Sequence, residues 1–373
     1  MSSGTWYQRL YRGESNYQLV PHRRRWYLAS GIAILICVLA FVLRGFNFGV
    51  EFAGGTQYQI QVAGTSVTTN QVYNAFTDAK LEPSDAAQEV GSGSTRQIVV
   101  KTKTVSDAQQ TAVTKAVSKS IGIPTTKINV TTVSSDWGRS VTVKAVQGLI
   151  IFLLVVSIYI AIRFQWRMAV GAIIALFHDL ILAAGVYALV GFEVTPSTVV
   201  GLLTILGFSL YDTVVVYDKV AENSHNLLAE RRMTYTEAAN LAVNQTLMRS
   251  VNTSLIALLP VAGLLFVGAG ILGVGTIKDL ALILFIGLAV GAYSSLFLAT
   301  PLVVDMTERE EKYKVHARRV LARRAEDAKA GVRVEISPAA VTAAAAANRG
   351  SGPMPAPRPG ARPANRPRNQ RRR

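Results

Sequence analysis

Asp212 is the residue from which chemistry has to be read. It stands inside Ser197–Tyr217, an apolar run long enough to cross a bilayer. A carboxyl group at that depth costs about 2.5–3.5 kcal/mol even on the lenient insertion scale, so it points to pairing, proton handling or transport. The next apolar run opens with Arg249, of opposite sign. Asp212 lies about fifteen residues into its helix, ~22 Å deep at the helical rise, and Arg249 starts a helix returning from the far side. The two therefore sit at similar height. Burial opposes the charge of the carboxylate and a guanidinium favours it, and a group held between those effects gains and loses a proton readily. The spacing predicts an Asp212–Arg249 ion pair that couples to protons. Two plainer readings stand beside it: Arg249 snorkelling at the interface, and Asp212 as a structural cap or partner.

A second polar step, His178-Asp179, falls near the middle of another apolar run. Histidine titrates near neutral pH, which suits a proton relay; an interhelical hydrogen bond is the equal alternative. Gly287, Gly291, Ser295 and Ala299 recur every four residues, a small-residue face for close helix packing. Tyr211-Asp212 on a spanning helix also raises an intramembrane aspartyl protease. That chemistry needs a second carboxylate, and the run after Arg249 has none; Asp179 is the remaining candidate. No metal-ligand cluster or phosphate loop is found, and no cofactor is expected.

These residues need helices to hold them. The chain of 373 residues is 50% hydrophobic and 17% charged, with mean hydropathy +0.29, and its polar residues come in blocks between long apolar runs. Six runs meet the length criterion of about 20 residues: Tyr27–Leu43, Ala145–Ile162, Met168–Val190, Ser197–Tyr217, Val251–Leu272 and Leu280–Val304. The first follows Arg23-Arg24-Arg25 but lacks a small-x-small cleavage site, and reads as an uncleaved anchor. Arg23–Arg25, Arg163, Arg167, Lys219, Arg231 and Arg232 fall on one side, while Gly191–Pro196 and Gly273–Asp279 are poor in base. The positive-inside rule then places both termini in the cytoplasm. Residues 1–26 form a cytoplasmic N-terminus, 27–43 the first span and 44–143 an outside domain. Residues 144–304 hold spans two to six, with a cytoplasmic loop at 218–248 that reads as an amphipathic helix. Residues 305–373 are a basic tail, an exposed charged helix to about Ala330 and disordered after about 338. That tail supplies much of the net charge of +16 and suits anionic lipid or RNA without specificity. The single cysteine, Cys37, excludes an intrachain disulfide framework.

The outside domain reads as α+β. Gln57–Val62 alternates, with Tyr58, Ile60 and Val62 on one face; Thr68–Lys80 is helical, with Thr69 or Asn70 as its cap. Ala87–Val90 is a short strand, Gly91-Ser92-Gly93-Ser94 a turn, Gln97–Lys103 a strand, Ser106–Ile121 a helix and Lys127–Val133 a last strand. The order βαββαβ is that of a ferredoxin-like fold. The linker before it, Phe46 to Thr56, carries Gly54-Gly55 for a sharp bend, with Phe48 and Phe52 able to pack at the membrane surface. A simple exit turn explains it equally.

Taken together these residues resemble the SecF family of bacterial protein-export membrane proteins, within the resistance-nodulation-division superfamily. The resemblance rests on Phe48-Gly49-Val50-Glu51-Phe52-Ala53-Gly54-Gly55-Thr56, His178-Asp179, and the run Gly207 to Asp218 that contains Tyr211, Asp212 and Thr213. Arg249-Ser250 with Thr253-Ser254, and Gly291-Ala292-Tyr293-Ser294-Ser295, complete it. The family commonly has Asn where Tyr211 stands. The resemblance implies a polytopic helical protein of the bacterial cytoplasmic membrane, not an enzyme, that uses the proton gradient to assist export of preproteins. It also implies proton coupling at Asp212 and Arg249, a SecD-like membrane partner, and the SecYEG channel and SecA nearby. Superfamily transporters are built from two six-span halves, and this chain supplies one. The alternative within that superfamily is a half-transporter exporting lipids or drugs.

Overall fold

The computed structural model describes residues 17–84, 86–90, 93–229, 232–271 and 275–329. The first helix, α1 (Arg23–Arg44), has 22 residues, ~33 Å at the helical rise, which matches a bilayer's hydrocarbon thickness. The chain then forms a short strand β1 (Asn47–Phe48) and one helical turn, α2 (Val50–Ala53). This is more structure than a simple exit turn. Phe48 and Phe52 pack edge to face with ring centroids 6.3 Å apart, and Phe46 lies 5.9 Å from Phe48. Gly54 and Gly55 turn the chain with φ of +73° and +129°, a region that side chains make costly.

The domain between the first two spans follows in the expected element order: β2 (Gly55–Gln61), α3 (Thr69–Asp78), β3 (Gln88–Val90), β4 (Gln97–Thr102), α4 (Asp107–Ile121) and β5 (Ile128–Val133). The strands lie in the order β3-β4-β2-β5, all pairs antiparallel. β2 is central, with Tyr58 opposite Val100 on one side and Val130 on the other. Its alternation is the reason: Tyr58, Ile60 and Val62 are fully buried against Val72 and Phe76 of α3 and Val113 and Val117 of α4. The cap of α3 is one residue earlier than the sequence suggested. Thr68, not Thr69 or Asn70, accepts from Gln71 N–H while the Gln71 side chain accepts from Thr68 N–H, a reciprocal capping box. The turn residues Gly91 and Ser92 lie outside the described set.

At the domain edge Arg96 grips Glu89, Nε to Oε1 at 2.7 Å and Nη2 to Oε2 at 3.2 Å, and also donates to the carbonyls of Thr65 and Val67. The Arg96 hydrogen bonds hold the Glu89 carboxyl below the usual carboxylate range. A depressed folded value stabilises the domain above the ordinary carboxylate pKa, and that contribution fades as pH falls through the lowered one. Acid unfolding of the domain should therefore begin at lower pH in wild type than in Arg96→Met, which leaves Glu89 without this partner. Hydrogen exchange of β3 and β4 amides against pH checks this; identical acid midpoints would show the pair to be inert.

The remaining helices form the bundle: α5 (Ser135–Arg163), α6 (Trp166–Val190), a two-residue strand β6 (Glu193–Val194), α7 (Pro196–Ser224), α8 (Tyr235–Gly263), α9 (Gly275–Ser294), α10 (Thr300–Glu308) and α11 (Glu311–Lys329). Six spans of membrane-crossing length and composition result, as read from the sequence. β6 pairs in parallel with β1, Asn47 to Glu193 and Phe48 to Val194. The α7 start is set by Thr195, which caps Thr198 N–H, with Pro196 at the first helical position, where its missing donor costs nothing.

Apolarity alone gave two boundaries too short. The segment 218–248, read as an amphipathic helix between the spans, continues both of them: α7 runs to Ser224, α8 starts at Tyr235, and Ala238 and Ala242 are fully buried with Leu241 close behind. Both 29-residue helices reach ~43 Å and overrun the hydrocarbon layer. The tail helix α11 is docked rather than simply exposed. Arg324 holds Glu237 with two 2.7 Å bonds, and His316 and Val320 are buried. Arg231, Gly273, residues 1–16 and the segment beyond 329, including the tail expected to be disordered, lie outside the described residues.

Candidate functional site

Four helices bring the membrane polar residues together. On α7, Ser209 and Asp212 are three residues apart, hence on one face, and both are buried. On α6, His178 and Asp179 are buried. On α8, Ser250 is buried whereas Arg249 is exposed. Ser294 ends α9, and Ser295 begins a π-helical turn, Ser295–Ala299, that leads into α10. Pro301 follows that turn and has no N–H to continue the regular ladder; such wide turns often mark functional positions.

The glycine stripe lets these groups meet. A Cβ on Gly287 would overlap Ile205, and one on Gly291 would lie 2.9 Å from the Ser209 Cβ. Close approach of α9 to α7 thus carries Ser294 and Ser295 to the carboxyl groups. Gly287→Ala should cost about 1–3 kcal/mol by overpacking. Ile205→Ala on the same chain should return most of it, because the two sites share one space. Thermal unfolding in detergent reads both; additive losses would mean the contact does not set the helix spacing.

Each carboxyl is held by hydroxyls from other helices. Asp212 Oδ1 accepts from Ser250 Oγ at 2.7 Å, and Oδ2 accepts from Ser295 Oγ. Asp179 Oδ2 accepts from Ser209 Oγ at 2.5 Å and Ser294 Oγ at 2.7 Å, while Oδ1 faces His178 Nδ1 at 3.0 Å. Adjacent serines therefore serve both acids, and Ser209 links Asp179 to the helix of Asp212. His178 Nε2 has no hydrogen-bond partner among the described residues.

The expected ion pair is not formed. Arg249 Nη2 instead donates to Tyr211 Oη at 3.3 Å, and no Asp212–Arg249 bridge occurs among the described residues. The level was right and the face was wrong. Neighbours in a helix do not face the same way, so Tyr211 meets Arg249 on the outer side of the α7–α8 contact while Asp212 meets Ser250 within it. Thr213 is buried on α7. Ser295 does more than the packing expected of it. Ser209, Ser250 and Ser294 were visible in the motifs, yet hydroxyls in apolar helices carry no periodic signal that separates a carboxyl partner from a filler. Nor does the geometry suit an aspartyl protease, since Asp179 is bonded to two serines and His178 and Asp212 to two other serines, with no hydrogen bond between the two acids among the described residues.

Comparison with known proteins decides the family. Residues 111–309 match the family described as protein export membrane protein SecD/SecF, C-terminal, and residues 39–65 match the SecD/SecF GG motif. The chain belongs to the SecD/SecF family. "Protein translocase subunit SecF" of Streptomyces coelicolor is 46% identical over 339 residues, 89% of this chain and 88% of that one. The subunit of the same description from Mycobacterium tuberculosis H37Rv is 44% identical over 330 residues, covering 87% and 74%. The crystal structure of SecDF, a translocon-associated membrane protein from Thermus thermophilus, aligns with TM-score 0.70 at 29% identity, over 80% of this chain and 39% of that one. Proteins of this SecD/SecF kind are transport subunits, not enzymes, and this one is a multi-pass membrane protein.

The motif named for its glycines has a clear geometry in this SecD/SecF chain. A Cβ on Gly55 would lie 2.5 Å from the Thr102 carbonyl oxygen, and one on Gly49 would meet the carboxyls of Glu51 and Glu193. Gly54 donates to Val50 O at 2.8 Å, closing the α2 turn. Phe52 O lies 2.8 Å from a Cβ placed on Gly138 of α5. The motif thus packs the linker between the domain sheet, β6 and the start of α5.

Proposed function

We propose that this chain is an accessory subunit of the Sec translocase that works with a SecD-like membrane partner and uses the proton gradient to assist export. The observation that carries the reading is the buried Asp212 carboxyl, held by Ser250 and Ser295 from two other helical segments, with Arg249 one residue from Ser250. Proton release leaves a charge in a dry site, and such charges demand pairing. A rotation of α7 against α8 exchanges the Ser250 contact for Arg249, and proton uptake reverses it. Asp179, held by Ser209 and Ser294 and facing His178, relays the proton; Ser209 shares α7 with Asp212, and Ser294 adjoins Ser295. Movement of α6 and α7 then reaches the outside domain, which acts on the emerging preprotein.

Basic residues Arg23, Arg163, Arg167 and Lys219 gather at the bundle end away from the domain. By the positive-inside rule that end is cytoplasmic, with both termini there and the domain outside the bacterial cytoplasmic membrane. SecYEG, SecA and the surrounding lipid are the remaining partners of this reading. The test is export into membrane vesicles holding the complete machinery, with the proton gradient intact or collapsed, from cells with and without this chain. Export that responds to the gradient only when the chain is present supports the reading; an equal response without it would end it.

A further inference from the structure

Lys101 sits on the sheet of the outside domain, yet its ammonium group is spent on the membrane part. It is buried, at 7% exposure. Its Nζ donates to Asn47 Oδ1 at 3.0 Å and to Phe48 O at 3.1 Å, and it pairs with Glu193 Oε1 at 3.1 Å. An ammonium has three donors, and these oxygens come from two segments outside the sheet. Asn47 and Phe48 form β1, the linker from α1. Glu193 lies in β6, between the helix of His178-Asp179 and the helix of Asp212. Asn47 also donates to Gly191 O at 3.3 Å, just past α6.

The setting makes the lysine hard to replace. The carboxyls of Glu51 and Glu193 both approach Gly49, and Lys101 is the cation in ion-pair contact with Glu193. The domain is also joined through the chain itself, by α1 at one end and β5 running into α5 at the other. α6 and α7 meet the sheet through β6, where Lys101 supplies the ion pair and Asn47 of the paired β1 donates to Gln88 Oε1 at 3.4 Å.

We propose that Lys101 is a positioning residue, a strut that passes movement of α6 and α7 to the outside domain through Glu193. This rests on the proposed function for the source of that movement. In the sequence Lys101 is a lysine in an ordinary strand, because nothing in the strand pattern reveals what lies across the linker.

The experiment uses the full chain in vesicles with the complete export machinery. Lys101→Met removes the charge and keeps the stem; Glu193→Gln removes the partner charge isosterically at a less buried site, 22% exposed, and tests the strut even where Lys101→Met accumulates poorly. Each should lower gradient-stimulated export by about fivefold, a coupling loss of ordinary size, while export in collapsed gradient stays at the wild-type level. Lys101→Arg should keep most of the response. Spin labels at Lys119→Cys and Val200→Cys, on a Cys37→Ser background, should give one narrow distance in the otherwise unaltered chain and a broadened or shifted one with Lys101→Met or Glu193→Gln. An unchanged gradient response or an unchanged distance in both variants would overturn the strut. Should Asp212→Asn itself keep the full gradient response, the proposed function falls, and the label distances alone then decide whether Lys101 holds the domain.

Discussion

Asp212→Asn is expected to abolish the gradient-stimulated part of export while leaving gradient-independent export at its basal level. Asparagine keeps the size of the side chain; its Oδ1 accepts from one of Ser250 and Ser295 and its Nδ2 donates to the other, whose hydroxyl turns to accept, so packing among α7, α8 and α9 survives. What it cannot do is release a proton or attract Arg249. Asp212→Glu should retain part of the response, since the acid persists on a longer stem in a site with little spare room. Export assays in vesicles with imposed and collapsed gradients measure both. A response in Asp212→Asn equal to wild type would show that this carboxyl only fills space.

The second large effect falls on the domain mount. Gly55→Ala is expected to destabilise the α+β domain by about 3 kcal/mol, the upper end of the range for a side chain forced into a sparsely populated backbone region. The φ of +129° is one cause and the 2.5 Å approach of the new Cβ to Thr102 O is the other. Thr102 closes the register opposite Thr56, so relief of the clash must open the β2–β4 ladder at its membrane end. Hydrogen exchange should show faster exchange of β2 and β4 amides, with the bundle helices unchanged. Unaltered protection in those strands would refute the argument.

How far the sequence reveals this molecule depends on whether a feature is written along the chain or across it. Spans, domain and strand alternation are written along it, and Tyr58, Ile60 and Val62 lie on the buried face that their spacing implied. Helix ends were harder, because α7 and α8 continue as helix after their apolar character stops. The site shows the same division. Distance along two helices put Asp212 level with Arg249, but the direction each side chain points around its helix was not fixed by that count. The tertiary packing chose Ser250 for Asp212 and Tyr211 for Arg249. Serine hydroxyls and the Lys101 strut were invisible for a related reason: their importance lies in partners far away in sequence.

A proton moving on and off Asp212 is the claim on which the mechanism stands, and infrared difference spectroscopy of the reconstituted protein observes it without relying on export. On lowering the pH, wild type should show a carboxylic-acid carbonyl band growing as carboxylate bands decline, and Asp212→Asn should lack that band. Difference spectra in which the band is unaltered by Asp212→Asn would contradict the account.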